Sequence, residues 1–147
     1  MFNKAGLAVQ VASSPTSGQI PVVLTSNVSA ATAFLFKPCN DPTTSDPSCV
    51  SLSPADKPGW YNRHSNYIWY DELASTALLP LSFPQDSSFI LHRDTFYAGY
   101  FALESVNFPT YYIHSEPDGF LRVVFNDGTQ SFFDAASFRL MDAGLPS

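Results

Sequence analysis

The feature that most constrains this chain is an internal duplication. Val50–Asp94 and Phe101–Asp142 share one cadence when set side by side. The first opens Val50-Ser-Leu-Ser-Pro-Ala-Asp-Lys-Pro58-Gly-Trp-Tyr61 and the second Phe101-Ala-Leu-Glu-Ser-Val-Asn-Phe-Pro109-Thr-Tyr-Tyr112. Proline falls at the same offset, and an aromatic pair follows two residues later. Each segment then carries a histidine, His64 or His114. Each continues with a strand-like stretch, Tyr67-Ile-Trp-Tyr or Phe120-Leu-Arg-Val-Val-Phe125, and ends in a small-residue step into Phe89 or Phe138. A fainter third copy closes at Ala31-Thr-Ala-Phe34. The three phenylalanines stand 55 and 49 residues apart. Such self-similarity decides the fold before any local reading does.

The segments are expected at about residues 6–38, 50–94 and 101–142, within a single domain spanning 1–147, with the first segment abbreviated at its front. Turn signals at Pro15–Gly18, Pro54–Gly59, Asp118-Gly119 and Asn126–Gly128 divide each into short strands. Leu7, Val9 and Val11 share one face of an alternating run. Phe120–Phe125 is apolar on both faces, as a strand buried on both sides would be. Helices are disfavoured by twelve Pro and a scarcity of strong helix formers. Glu72–Leu79 is the best helical candidate and reads as a loop with a helical turn. An all-β chain repeating about every 50 residues points to a β-trefoil, because closure removes edge strands, whereas a sandwich has no reason to repeat at this period. Phe34, Phe89 and Phe138 are then core residues at related positions.

Charge narrows the function. Seven Lys+Arg against thirteen Asp+Glu give a formal net charge of −6, which argues against a nucleic-acid partner. No stretch approaches the ~20 apolar residues of a membrane span, so no membrane insertion is expected. No secretory leader is visible at the start, and two readings follow: a cytoplasmic chain, or a module of a longer secreted protein. Two details favour the second. Cys39 and Cys49 flank a Pro/Thr/Ser/Asp-rich loop where a disulfide closes easily, two unrelated thiols being the alternative. Asn27-Val28-Ser29 is a glycosylation sequon. No CxxC or HxxxH spacing accompanies the cysteines, and the acidic turn residues lack the spacing of a calcium loop, so neither a metal nor a cofactor is expected.

The string Pro58-Gly59-Trp60-Tyr61-Asn62-Arg63-His64-Ser65-Asn66-Tyr67 resembles the arabinofuranose-binding β-trefoil module at the C-terminus of fungal α-L-arabinofuranosidase B enzymes. Glu104-Ser-Val-Asn-Phe-Pro109, Asn126-Asp-Gly-Thr129 and Asp134-Ala-Ala-Ser-Phe138 extend the likeness, which covers about Val50 to Leu145. The resemblance implies shallow pockets in which a His and the Asp before the terminal Phe hydrogen-bond a terminal furanose beside an aromatic ring. Carried over, unit two has His64 and Asp86 with Tyr61 or Trp60 alongside. Unit three has His114 and Tyr112 with Asp134, yet lacks one residue between Tyr112 and His114. Its Asp134 lies four before Phe138, where Asp86 lies three before Phe89, so Ala135 holds the matching slot. Unit one has Ala31 in that slot and no His. Unit two also inserts Leu73–Pro84, which is placed to cover or reshape its pocket.

The chemistry suits a sugar independently of any family. A carboxylate accepts two strong hydrogen bonds, a neutral imidazole offers a donor and an acceptor, and Tyr or Trp covers a C–H face. The bland readings are that the histidines are structural, that Asp86 and Asp134 bond turn backbone, and that one of Trp60 and Tyr61 is core, with Tyr61 favoured for the site. Catalysis finds little support. Asp71 and Glu72 are adjacent rather than opposed across a cleft, and no Gly-x-Ser-x-Gly elbow or phosphate loop occurs. The expectation is a non-catalytic, secreted module that recognises glycan end groups. The rival is a protein-interaction trefoil with decayed pockets that docks neighbouring domains of a longer chain.

Overall fold

The computed structural model describes residues 8–12, 19–73 and 82–140. Leu7, the Pro15–Gly18 turn, most of the Leu73–Pro84 insertion and Asp142 lie outside them. Among the described residues, ten strands form one continuous antiparallel sheet: β1 (Ala8–Val11), β2 (Gln19–Thr25), β3 (Phe34–Pro38), β4 (Cys49–Pro54), β5 (Trp60–Ser65), β6 (Ile68–Leu73), β7 (Phe89–Arg93), β8 (Phe101–Ser105), β9 (Tyr111–Ser115) and β10 (Leu121–Phe125). Two short helices, α1 (Phe83–Asp86) and α2 (Gln130–Ala135), precede Phe89 and Phe138. Glu72 and Leu73, expected to begin a loop with a helical turn, instead end β6. There they pair with β5 at Tyr61 and Trp60, and this cross-strand pairing overrides the weak helical period.

Three hairpins organise the sheet: β1–β2, β5–β6 and β9–β10. Their second strands meet in a ring. Ile20 of β2 opposes Asp71 of β6, Ile68 of β6 opposes Arg122 of β10, and Val23 of β2 bridges Phe120 at the entry to β10. Val22, Trp69 and Leu121, one from each second strand, are buried in the same apolar core as Phe89, Leu103, Ile113 and Val123. Phe89 and Phe138 are fully or nearly buried there, and Phe34 packs on it from a half-exposed position. Each large apolar side chain removed from water contributes about 1.5–3 kcal/mol. Along β10, Leu121 and Val123 are buried in this core, while Arg122 and Val124 on the opposite face are half-buried, Val124 against a second cluster of Ala102, Tyr112, Phe132 and Ala136. The expected burial on both faces is thus complete on one face and partial on the other, and the strand emerges at its end, where Phe125 is 53% exposed.

Two residues beyond the core trio stand Leu24, Asp71 and Val123, opposite Val9, Asn62 and Ile113. Two hairpins place an apolar pair here. The middle one places Asn62 against Asp71, both fully buried, and neither side chain has a hydrogen-bond partner among the described residues. Loss of water without replacement bonds disfavours the charged form and raises the Asp71 carboxyl to about 6, despite the opposing pull of Lys57.

Cys39 and Cys49 form the expected disulfide, with Cα atoms 5.2 Å apart. The loop they close docks on the end of α1. Asn40 donates from its backbone to Ser51 Oγ at 3.0 Å and from its side chain to Ser87 Oγ at 3.0 Å, and the Asp41 backbone donates to Ser88 Oγ at 2.9 Å. No helix among the described residues is long and apolar enough to cross a membrane.

Candidate functional site: a buried Arg, His, Asp and Asn network

β5 carries Arg63 and His64 on opposite faces, as strand alternation requires. The Arg63 guanidinium lies 5.3 Å over the Phe83 ring at the start of α1. It donates to Glu72 Oε1 at 3.0 Å, forms an ion pair with Asp86 Oδ2, and sends Nε to the His64 carbonyl. Its side chain is only 7% exposed. A charge so buried is tolerated only when paired and hydrogen-bonded, and two carboxylates supply that here. Pro84 suits the first turn of α1, where its missing N–H costs no helical bond, and the helix stops after one turn at Ser87. Its last residue, Asp86, reaches Arg63 of β5.

His64 closes the network from the other face of the strand. Its Nε2 lies 2.8 Å from Asn107 Oδ1, 3.3 Å from Ser105 Oγ and 3.6 Å from Asp86 Oδ1. Asn107 Nδ2 donates to Asp86 Oδ1 at 2.7 Å, and Ser105 Oγ donates to Asn107 Oδ1 at 2.9 Å. Because the Asn107 amide nitrogen faces Asp86, its oxygen faces the imidazole, so His64 Nε2 carries the proton. Phe108 stacks on the imidazole with centroids 4.9 Å apart and planes at 28°. Burial lowers the His64 pKa, and the Asn107 bond and Asp86 charge only partly oppose it, so the ring is held neutral. The outcome is a carboxylate, a neutral imidazole N–H and a primary amide meeting at one point beneath an aromatic ring.

Of the residues singled out from sequence, His64 and Asp86 do converge. Trp60 does not join them: it packs on the core, with Lys57 Nζ 5.1 Å over its ring. Tyr61 sits opposite Glu72 on the Arg63 side of β5, away from the imidazole. The ring beside His64 is Phe108. Arg63, Asn107, Ser105 and Phe108 were not among the expected site residues. Their signal was present in Glu104-Ser-Val-Asn-Phe-Pro109, but that string reads as part of unit three, whereas its loop closes the site of unit two.

Unit three departs further. It matches unit two contact by contact. Ser88 Oγ donates to the Pro84 carbonyl at 2.6 Å as Ser137 Oγ does to that of Phe133 at 2.7 Å. Gly59 and Thr110 both take positive φ, +84° and +72°, just before the hairpin. Arg63 lies 5.3 Å from the Phe83 ring, and His114 lies 5.2 Å from the Phe132 ring. His114 therefore stands where Arg63 stands, Ser115 where His64 stands, and Ala135 where Asp86 stands. The expected His114–Asp134 pair is not formed. One residue upstream of Ala135 is about 100° round the helix, so the Asp134 carboxylate turns away and takes the Tyr97 hydroxyl. His114 Nδ1 instead lies 3.6 Å from Glu116 Oε1. Tyr112 packs among Phe96, Phe132 and His92. Among the described residues, no cluster of three or more His, Cys, Asp and Glu side chains is arranged to hold a metal ion.

An all-β antiparallel fold with a buried Arg–His–Asp–Asn network is the class that structure defines. The sequence profile of the alpha-L-arabinofuranosidase B (ABFB) domain matches residues 40–140, and the chain belongs to that family. No curated protein sequence matches it. Among solved structures it is similar to an arabinofuranosidase complexed with arabinofuranosyl-alpha-1,2-xylobiose (TM-score 0.64, 18% identity, covering 90% of this chain and 30% of that one). It is similar also to a GH54 α-L-arabinofuranosidase soaked with a cyclic sulfate inhibitor (TM-score 0.65, 18% identity, the same coverage). A mutant GH54 enzyme soaked with 4-nitrophenyl α-L-arabinofuranoside gives TM-score 0.63 at 17% identity, with 92% and 31% covered. The chain spans under a third of the length of these structures.

Proposed function

We propose that the chain is a non-catalytic, secreted carbohydrate-binding module, a single β-trefoil domain of three pseudo-repeats with the first abbreviated. The ring formed by β2, β6 and β10 and the matched contacts of units two and three support the repeat. The disulfide and the exposed Asn27, an acceptor for N-glycosylation, support an extracellular setting. The ligand is a terminal sugar of the arabinofuranose type, consistent with the ligands of the similar enzymes.

One observation carries this reading. His64 Nε2 and Asp86 Oδ1 approach to 3.6 Å with Asn107 bonded to both, so a sugar hydroxyl that displaced the amide would find a donor and an acceptor already oriented. Arg63 holds the carboxylate in place and Phe108 supplies the apolar face. Among the described residues only unit two carries this set, so a single pocket acts without the avidity of a second, and weak binding is expected. The test is titration calorimetry with methyl α-L-arabinofuranoside. His64→Ala and Asp86→Asn, checked for folding by near-UV circular dichroism, should lose binding, while His114→Ala and Asp134→Ala should retain it. Equal binding by all four variants removes the pocket.

A second reading has its own observation. The network is internally satisfied, and the His64 side chain is 4% exposed. On that reading the network is structural and the chain docks a neighbouring domain. Silence on a glycan array by a well-folded chain selects it.

A further inference from the structure

Six large apolar side chains are exposed among the described residues, and three of them gather in one place. Tyr67 (54% exposed) stacks on Phe108 (37%) with centroids 5.8 Å apart and planes at 25°. Tyr111 lies 6.3 Å from Tyr67 and 5.9 Å from Phe108. Phe125 (53%) continues the row, 5.7 Å from Tyr111. The row begins at Phe108, the ring that covers His64, and runs across the β5–β6 turn and the β9–β10 hairpin.

The backbone is strained to display it. Asn66 and Tyr67 form the two-residue β5–β6 turn with φ of +50° and +64°. A turn with two positive φ values favours Asn-Gly, and a bulky residue in the second place is a genuine outlier. Thr110, beside Tyr111, takes φ +72°. Strain of this kind persists where function requires it, and here it flanks rings that are left open to water.

We propose that this row is a second glycan-binding surface, a platform for the pyranose rings of a neutral polysaccharide backbone adjoining the end-group pocket. The chemistry names the ligand. The rings present negative faces to the polarised C–H bonds of a pyranose, and the only side-chain polar atoms on the row are the Tyr67 and Tyr111 hydroxyls. A net charge of −6 repels a polyanionic chain. The inference deepens the glycan reading above, because Phe108 joins the two surfaces.

The probes are xylohexaose, an unbranched neutral pyranose chain, and methyl α-L-arabinofuranoside, each titrated by calorimetry into the whole chain. Tyr67→Gly suits its positive φ, so folding is retained, and Phe125→Ser alters an exposed site. The double variant should bind xylohexaose at least about tenfold more weakly, the scale of one or two lost stacking contacts, with unchanged arabinofuranoside affinity. If the chain binds arabinofuranoside but not xylohexaose, or if the double variant binds xylohexaose like the parent, the platform is overturned and the pocket stands. Failure to bind either sugar removes both. A dimer in sedimentation that the double variant dissolves reassigns the row to self-association and overturns the proposal.

Discussion

Units two and three hang different chemistry on the same contacts. In unit two the position over α1 is Arg63, its carboxylates are Glu72 and Asp86, and the buried small residues, both bonded by Asn40, are Ser51 and Ser87. In unit three the corresponding residues are His114, Val124, Ala135, Ala102 and Ala136, and Ala102, Ala136 and Val124 belong to a separate small core with Tyr112 and Phe132. The loop that docks on each helix follows suit. Asn40 and Asp41 reach Ser87 and Ser88 by hydrogen bonds, whereas Phe96 stacks on Phe133 at 4.5 Å. A buried charge network is worth keeping only when complete, and a partly stripped one is worse than an apolar filling. The two units sit at these two ends, and the loss in unit three extends to every partner rather than to one residue.

That contrast breaks most sharply at Asp86. Asp86→Ala leaves a buried guanidinium with one carboxylate and an orphaned Asn107 amide, and should cost about 3–5 kcal/mol in urea unfolding. A cost near that of an exposed residue would mean the network is solvated.

Next in size is the buried pair with no counterpart in the other hairpins. The folded-state pKa of Asp71, about 6 against an ordinary 3.8, lies above its unfolded value. The folded state therefore holds the proton longer, and stability falls as pH rises through this window, by about 3 kcal/mol above pH 6. Asn62→Ile with Asp71→Val installs the kind of pair found at Ile113 and Val123. It should raise stability at pH 7 by an amount of that order and flatten this limb of the pH profile. His64 works in the opposite sense: its lowered pKa withdraws stability as pH falls below about 6.5. That limb should survive in the double variant and vanish in His64→Phe.

The match of His114 to Arg63 is tested by rebuilding the ion pair. His114→Arg alone should destabilise, and adding Ala135→Asp should recover about 1 kcal/mol of coupling in a double-mutant cycle. No coupling would refute the register. The smallest effect belongs to Asp134→Ala. The melting temperature should scarcely move, while Tyr97, whose pKa the Asp134 hydrogen bond raises, should titrate closer to its ordinary value in an absorbance scan.

Much of the fold could be read along the chain because its causes are local. Proline offsets, turn residues and period-two alternation placed the hairpins and the Phe89 and Phe138 positions, and the loop chemistry placed the Cys39–Cys49 bridge. The convergence of His64 and Asp86 was legible only through the resemblance, which implies a His paired with the Asp before the terminal Phe. The likeness of His64 and His114 misled, because it is a likeness of residue type. Ser65 opposes Ile68 across a two-residue turn, whereas Ser115 opposes Leu121 across five residues, Glu116–Phe120. Counting toward the turn therefore shifts the match by one position, and only the sheet register corrects it.

What the sequence by itself determined is which stretches extend, where they turn and which residues repeat, since these follow from neighbours a few positions away. Tertiary structure alone decided that the loop after β8 completes the site on β5, that Phe108 and not Tyr61 lies against the imidazole, and that Asn62 and Asp71 meet inside the core. Those pairings join residues up to 44 positions apart (His64 to Phe108). They are set by the packing of strands against one another, to which no local pattern is sensitive.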